Sequence, residues 1–173
     1  MRRPCLICLL VILAAAPLRA GDVTPLSRGS KEIGLDGIVY VSHDSPQDLF
    51  GVATGRFGYY VAGNHQVGVD ATLFAYSRIQ DLYLSGDYRY VMAKSERKWA
   101  PFFGAGAGAN VSHFDFFGSQ HSLIAKGEAG LRVFMGRRFA LDIAYNLMYR
   151  EHTDFGFTGT TSSILMFGFS KVF

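Results

Sequence analysis

The chain has 173 residues, with 17 Lys and Arg against 14 Asp and Glu, 15 Phe, 9 Tyr and two Cys. This length allows one domain, and the near balance of charge removes the electrostatic argument for a nucleic-acid partner. Cys5 and Cys8 both lie in the first ten residues, so no disulfide framework can staple a core.

The N-terminus reads as a secretory leader. Arg2 and Arg3 precede an apolar run from Leu6 to Ala16, and "PLRA" precedes "GD". The run is too short to span a bilayer as a helix, which takes about 20 residues. Cleavage is expected after Ala20, giving a leader over 1–20, a periplasmic N-terminal segment over 21–30 and one barrel domain over 31–173. Removal of the leader takes Arg2, Arg3 and Arg19, and leaves 14 basic residues beside 14 acidic ones.

From residue 31 onward the dominant signal is period two, the period of a strand. "EIGLDGIVYV" sets Ile33, Leu35, Val39 and Val41 against Glu32 and Asp36. "ATGRFGYYV" sets Phe57, Tyr59 and Val61 against Thr54, Arg56 and Gly58. "HQVGVDATLFAY" sets Val67, Val69, Ala71, Leu73 and Ala75 against Gly68, Asp70 and Thr72. "LYLSGDYRYVM" sets Leu82, Leu84, Tyr88, Tyr90 and Met92 against Tyr83, Ser85, Asp87 and Arg89.

"PFFGAGAGANVS" places Gly104, Gly106 and Gly108 at alternate positions. A phosphate-cradling loop would need these glycines in a turn leading into a helix, and no helical period follows. Glycines at period two lie instead on one face of a strand, with Asn110 and Ser112, and leave room for bulky neighbours. "SLIAKGEAGLRVF" then sets Leu123, Ala125, Ala129, Leu131 and Val133 against Lys126, Glu128 and Arg132. "RFALDIAYNLMYR" alternates from Phe139 to Arg150, with Asp142, Asn146 and Arg150 on the polar side. "SILMFGFSKVF" carries Leu165, Phe167, Phe169 and Phe173 on one face.

These eight segments predict an all-β fold, an eight-stranded antiparallel transmembrane β-barrel. The apolar face is wide and aromatic, while the other face mixes charge with glycine, alanine and serine. That pattern suits lipid outside and a polar interior, and eight strands leave an interior just wide enough for side chains to fill. The predicted interior charges are Glu32, Asp36, Arg56, Asp70, Asp87, Arg89, Lys126, Glu128, Arg132, Asp142 and Arg150. Their near balance is read as a salt-bridge network filling the lumen, because an unpaired buried charge is costly; the alternative is a proton or ion path.

With an even strand count both chain ends face the periplasm. The periplasmic turns are expected around Gly63 and Asn64, over 93–99 and over 135–138, and the outer loops over 42–48, 77–81, 113–121 and 151–160. Tyrosines and phenylalanines near the strand ends, with Trp99, suit interfacial aromatic girdles.

"LSGDYRYVMAKSERKWAPFFGAGAGAN" resembles the central strand, turn and strand of the OmpA/OmpX-like outer-membrane β-barrel superfamily. The terminal Phe173, on an alternating aromatic strand, resembles the signal read by the outer-membrane assembly machinery. The resemblance implies export to a Gram-negative outer membrane, with outer-membrane lipid, lipopolysaccharide and the assembly machinery as partners. No wall-tethering domain is expected after Phe173, so an OmpA-like role in tethering the cell wall is not expected.

One group of small barrels resembling this chain, the PagL-type lipid A deacylases, carries a serine and a histidine in an H-x-S-N stretch. Here His152 is followed two residues later by Asp154, so the motif is broken. The remaining catalytic candidates are His152 with Ser162 or Ser163 and Glu151 or Glu128 as orienting carboxylate. His43, His113, His121 and His152, beside Asp44, Asp48, Asp115 and Asp154, come from separate loops without tight ligand spacing, so neither metal nor cofactor is expected. Phe114, Phe116, Phe117, Phe155 and Phe157 belong either to loop contacts with lipopolysaccharide or an unknown surface ligand, or to the outer girdle. The expected role is structural or surface-interacting, with a lipid A-modifying enzyme or a narrow solute channel as rivals.

Overall fold

A computed structural model describes residues 26–41, 49–76, 79–94, 97–114, 118–136, 138–152 and 159–173. They form eight strands: β1 (Lys31–Val41), β2 (Leu49–Ala62), β3 (His65–Tyr76), β4 (Ile79–Val91), β5 (Trp99–Phe114), β6 (Gly118–Phe134), β7 (Phe139–His152) and β8 (Thr160–Val172). Each strand pairs antiparallel with its sequence neighbours, and β8 returns to β1, so the sheet closes on itself.

Closure follows from the side-chain parity. Leu35 is 65% exposed and Leu84 57%, whereas Arg89 and Arg132 are fully buried. The apolar face points outward and the charged face inward, the reverse of a water-soluble sheet. Hydrocarbon offers no partner to a free backbone group, so the strands must satisfy one another around a ring.

The interior is layered. At the end where β1 begins and β8 finishes, Leu26, Tyr60, Val91, Ala100, Phe102, Phe134 and Ala140 form a buried apolar cluster. Leu26 is held there by the turn that follows it: Gly29, at φ 93°, donates its N–H to the Tyr60 carbonyl, and Tyr60 donates back to Ser30. Phe173 and Lys31 exchange two backbone hydrogen bonds at the same end. Charged residues fill the middle of the lumen, and hydroxyl-bearing residues line the opposite end.

Glycines make the charged layer possible. Gly104 lies between Arg89 and Glu128 of the flanking strands, Gly106 between Asp87 and Lys126, and Gly168 between Asp36 and Asp142. A Cβ on Gly104 would sit 2.7 Å from Cγ of Glu128, and one on Gly106 would sit 2.7 Å from Cε of Lys126. Large side chains therefore lie across the glycine-bearing strands and meet one another.

The hairpins at the far end are longer than the alternation suggests. Residues 79–81, 113–114, 118–121, 151–152 and 160 were expected in loops but belong to strands. The ladder continues through Val111↔His121, Ser112↔Gln120, His113↔Ser119 and Phe114↔Gly118. Once two strands are in register, backbone pairing can run on into water, where polar side chains on both faces cost nothing.

The packing makes a direct test. A Cβ on Gly108 would meet the Leu84 carbonyl oxygen and approach Cα of Ser85 to 2.6 Å, whereas one on Gly127 would meet nothing. Gly108→Ala is expected to destabilise the barrel by about 1–3 kcal/mol and Gly127→Ala to leave it unchanged, as read by urea unfolding in lipid vesicles.

Candidate functional site: the lumen

Ten inward residues from six strands occupy the middle of the lumen: Glu32 and Asp36 of β1, Arg56 of β2, Asp70 of β3, Asp87 and Arg89 of β4, Lys126, Glu128 and Arg132 of β6, and Asp142 of β7. Nine of them form one connected array of ion pairs. Arg132 sits at its lower end. Its Nη1 and Nη2 reach the two carboxylate oxygens of Glu32 at 2.7 Å each, while Nε and Nη2 reach Asp142 at 2.8 and 2.6 Å. Tyr60 joins this group, donating to Glu32 at 2.7 Å and accepting from Arg132 at 2.9 Å.

Asp142 passes the array to Arg89, 3.5 Å away. Arg89 holds Glu128 with a two-pronged contact of 2.6 and 2.8 Å across Gly104, and its guanidinium lies 4.4 Å from the centre of the Phe102 ring. Arg56 then collects Glu128 at 3.4 Å, Asp36 at 3.1 Å and Asp70 at 3.1 Å. Lys126 closes the upper end on Asp70. Forked guanidinium contacts fix geometry as well as charge. Asp87 is the exception among these ten: among the described residues it makes no ion pair, and its buried Oδ1 has no hydrogen-bond partner.

Arg150 lies apart, near the outer mouth. It contacts Asp81 at 3.4 Å, Ser122 at 3.3 Å and Ser112, while Ser112 donates to Asn110 at 3.0 Å. Between the array and this mouth group the lumen keeps a cavity of about 20 Å³, bounded by Asp36, Arg56, Asp70, Lys126 and Phe74. That is room for roughly one water molecule. Above it lies a cavity of about 290 Å³ beside Phe74, Tyr83, Met148, Arg150 and the start of β8.

The catalytic candidates do not assemble. Ser162 opposes Met148 on the inward face, while Glu151 shares the outward parity of Leu147 and Tyr149. His152 is placed by its backbone, opposite Ser122 at the end of β7. Ser163 falls on the outward parity, and Glu128 is committed to Arg89 and Arg56. Among the described residues no group of His, Cys, Asp and Glu could hold a metal ion. Of the histidines considered together, His121 is an exposed residue of β6, His113 is placed by backbone in β5, and His43 lies outside the described residues with Asp44, Asp48, Asp115 and Asp154. Phe114 is the last residue of β5; Phe116, Phe117, Phe155 and Phe157 lie outside the described residues. Phe173 is 56% exposed, with the Lys171 ammonium 4.8 Å from its ring centre.

Sequence reasoning missed Leu26, Tyr60 and Phe102. Tyr60 and Phe102 carry the inward parity of Arg56 and Gly104, so the alternation alone could have placed them inside. Leu26 precedes the first strand and leaves no periodic signal.

No family model matches the sequence, and no curated protein matches it. The fold is nonetheless similar to solved structures. The N-terminal β-barrel domain of Pseudomonas aeruginosa OprF aligns with a TM-score of 0.65 at 15% identity, covering 84% of this chain and 98% of that one. Neisserial surface protein A (NspA) aligns with a TM-score of 0.63 at 16% identity, covering 82% and 94%. A de novo designed transmembrane β-barrel aligns with a TM-score of 0.50 at 14% identity, covering 87% and 100%. The class defined by the fold is the small eight-stranded membrane barrel of the outer-membrane type.

The array predicts an ordered set of stabilities. Arg132→Ala would strand Glu32 and Asp142 and is expected to cost about 3–5 kcal/mol, partly recovered by adding Glu32→Gln. Arg150→Ala, at the partly exposed mouth, is expected to cost under about 1 kcal/mol. Asp87→Asn, which removes an unpaired buried charge, is expected to hold or raise stability. Unfolding midpoints in one detergent or lipid system check all three.

Proposed function

We propose that this protein is an exported outer-membrane barrel with a sealed lumen, which supports the envelope mechanically and presents its outer hairpins for surface contact. The observation that carries this reading is the connected array from Glu32 to Lys126, which crosses the lumen from six of the eight strands. A solute would have to break forked arginine–carboxylate contacts to pass. The apolar cluster below the array and the 20 Å³ cavity above it favour the same conclusion.

Export through the 1–20 leader, insertion by an assembly machinery that reads Phe173, and contact with lipopolysaccharide belong to this proposal. The lipid A-modifying reading draws no support from the geometry, because Glu151 and Ser162 lie on opposite faces of the sheet, and Ser163, on the face of Glu151, pairs with Leu147 four residues away along β7.

Conductance in planar bilayers tests the sealed lumen. The native barrel is expected to give no discrete current steps. The charge-neutral double variant Arg89→Ala with Glu128→Ala, which empties the centre of the array, is expected to give them. Regular steps from the native protein would refute the seal and favour the channel. Lipid A from producing cells is expected to show an unchanged acyl pattern by mass spectrometry.

A further inference from the structure

The join between the first and last strands is shorter than every other pairing in the barrel. β1 and β8 pair from Glu32↔Val172 to Gly37↔Phe167, six positions, whereas the other ladders hold eleven to sixteen. Above Gly37, β1 continues to Val41 and, among the described residues, pairs with β2 alone. Above Phe167, β8 continues from Met166 back to Thr160 and, among the described residues, pairs with β7 alone. Two strand edges thus face each other without pairing over the outer half of the seam.

Two further observations bear on what fills that gap. First, the 290 Å³ cavity is lined by Thr160, Ser162 and Ile164, of inward parity, and also by Ser163, of outward parity. Thr160 to Ser163 are exposed on both parities, and the edge of this stretch that faces β1 is, among the described residues, the unpaired one. Second, the outward face of β8 changes character along this stretch: Phe169, Phe167 and Leu165 give way to Ser163 and Thr161. The gap therefore straddles the boundary between the apolar band and the polar zone above it. An unpaired backbone is expensive in hydrocarbon, so an occupant here must offer apolar surface below and hydrogen-bonding groups above.

From this geometry we infer that the upper β1–β8 seam is a lateral portal that seats one membrane lipid. An acyl chain end enters between the strand edges to lie against Met148, Ile164 and Phe74. The ester or amide and head-group oxygens of the lipid meet Thr160, Ser162, Ser163 and the free edge of β8. At about 290 Å³ the cavity is at the small end of ligand pockets, which run to roughly 300–1,000 Å³, so it takes a chain end rather than a whole lipid. The Arg150 charge beside it is already countered by Asp81, which suits a ligand recognised by chain and hydroxyl or carbonyl groups rather than by charge. The portal rests on the membrane placement of the barrel but not on the seal below, since the array lies beneath it.

The test is photolabelling of the whole protein in phosphatidylcholine vesicles that contain a small fraction of phosphatidylcholine with a diazirine at the end of one acyl chain. Adducts are mapped by mass spectrometry. Outward residues such as Leu147, Leu165 and Phe167 report insertion in the bilayer. The portal predicts additional adducts on Met148 and Ile164, whose inward parity a fully zipped seam would hide from lipid. A chain end cannot reach them over the rim without leaving hydrocarbon. Ser162→Trp, which fills the cavity, is expected to abolish the inward adducts and keep the outward ones. Outward adducts alone, or inward adducts that survive Ser162→Trp, would overturn the portal. Absence of outward adducts would overturn the membrane placement itself.

Discussion

Everything in this lumen depends on one constraint: a charge walled off from water by strands that face hydrocarbon must find an opposite charge. Arg132 shows how far the chain goes to meet it. Its guanidinium is shared between Glu32, 100 residues away in sequence, and Asp142, ten residues away. Removing either carboxylate would leave a fixed cation with half its partners. Such pairs are not a reliable source of net stability, since a well-packed apolar interior can do as well. Their effect is on register. A slip of one residue along β6 would carry Lys126, Glu128 and Arg132 together to the lipid face, and β1, β2, β3, β4 and β7 would each lose partners. The array penalises every misaligned closure of the ring.

Long charged side chains cannot meet across a narrow lumen unless something gives way beneath them. The strands between them do so by carrying glycine at the crossing points. Arg89 and Glu128 join over Gly104, and Lys126 lies over Gly106 toward Asp70 of β3. Gly168 separates Asp36 from Asp142, and the two aspartates reach Arg56 and Arg132 rather than each other. The alternating glycines of β5 are thus the complement of the charges on β4 and β6, and neither set makes sense without the other. Phe102 repeats the rule in the apolar layer, lying opposite Gly130.

This division explains what could be read in the sequence. Period two from residue 31 to the C-terminus gave the eight strands and the inward and outward sets, because parity is a local property. The likeness to a designed transmembrane barrel at 14% identity fits an architecture specified by alternation and closure rather than by any motif. Pairing was not legible. That Arg56 would gather Asp36, Asp70 and Glu128, or that Asp87 would be left without a partner, depends on the stagger between strands, which a single sequence does not carry. The outer strand ends were missed for a related reason: alternation records where lipid stops, whereas hairpin pairing continues past it. Glu151 and Ser162 looked close along the chain, yet parity put them on opposite faces.

The incomplete seam belongs to the same physics. β1 contributes Glu32 and Asp36 to the array, and both lie within the stretch that pairs with β8. Immediately above, at Gly37↔Phe167, the pairing ends, and the array also sends no ion pair from β1 above Asp36. β8 brings no charge to the lumen at all; its inward residues are Thr160, Ser162, Ile164, Met166, Gly168, Ser170 and Val172. The two end strands have no connecting hairpin to zip them, unlike every other neighbouring pair. β1 is tied to β6 and β2 through Glu32–Arg132 and Asp36–Arg56 over the same height at which it pairs with β8. The array and the paired part of the seam thus share one height, and a barrel sealed along its axis can still be open at its side.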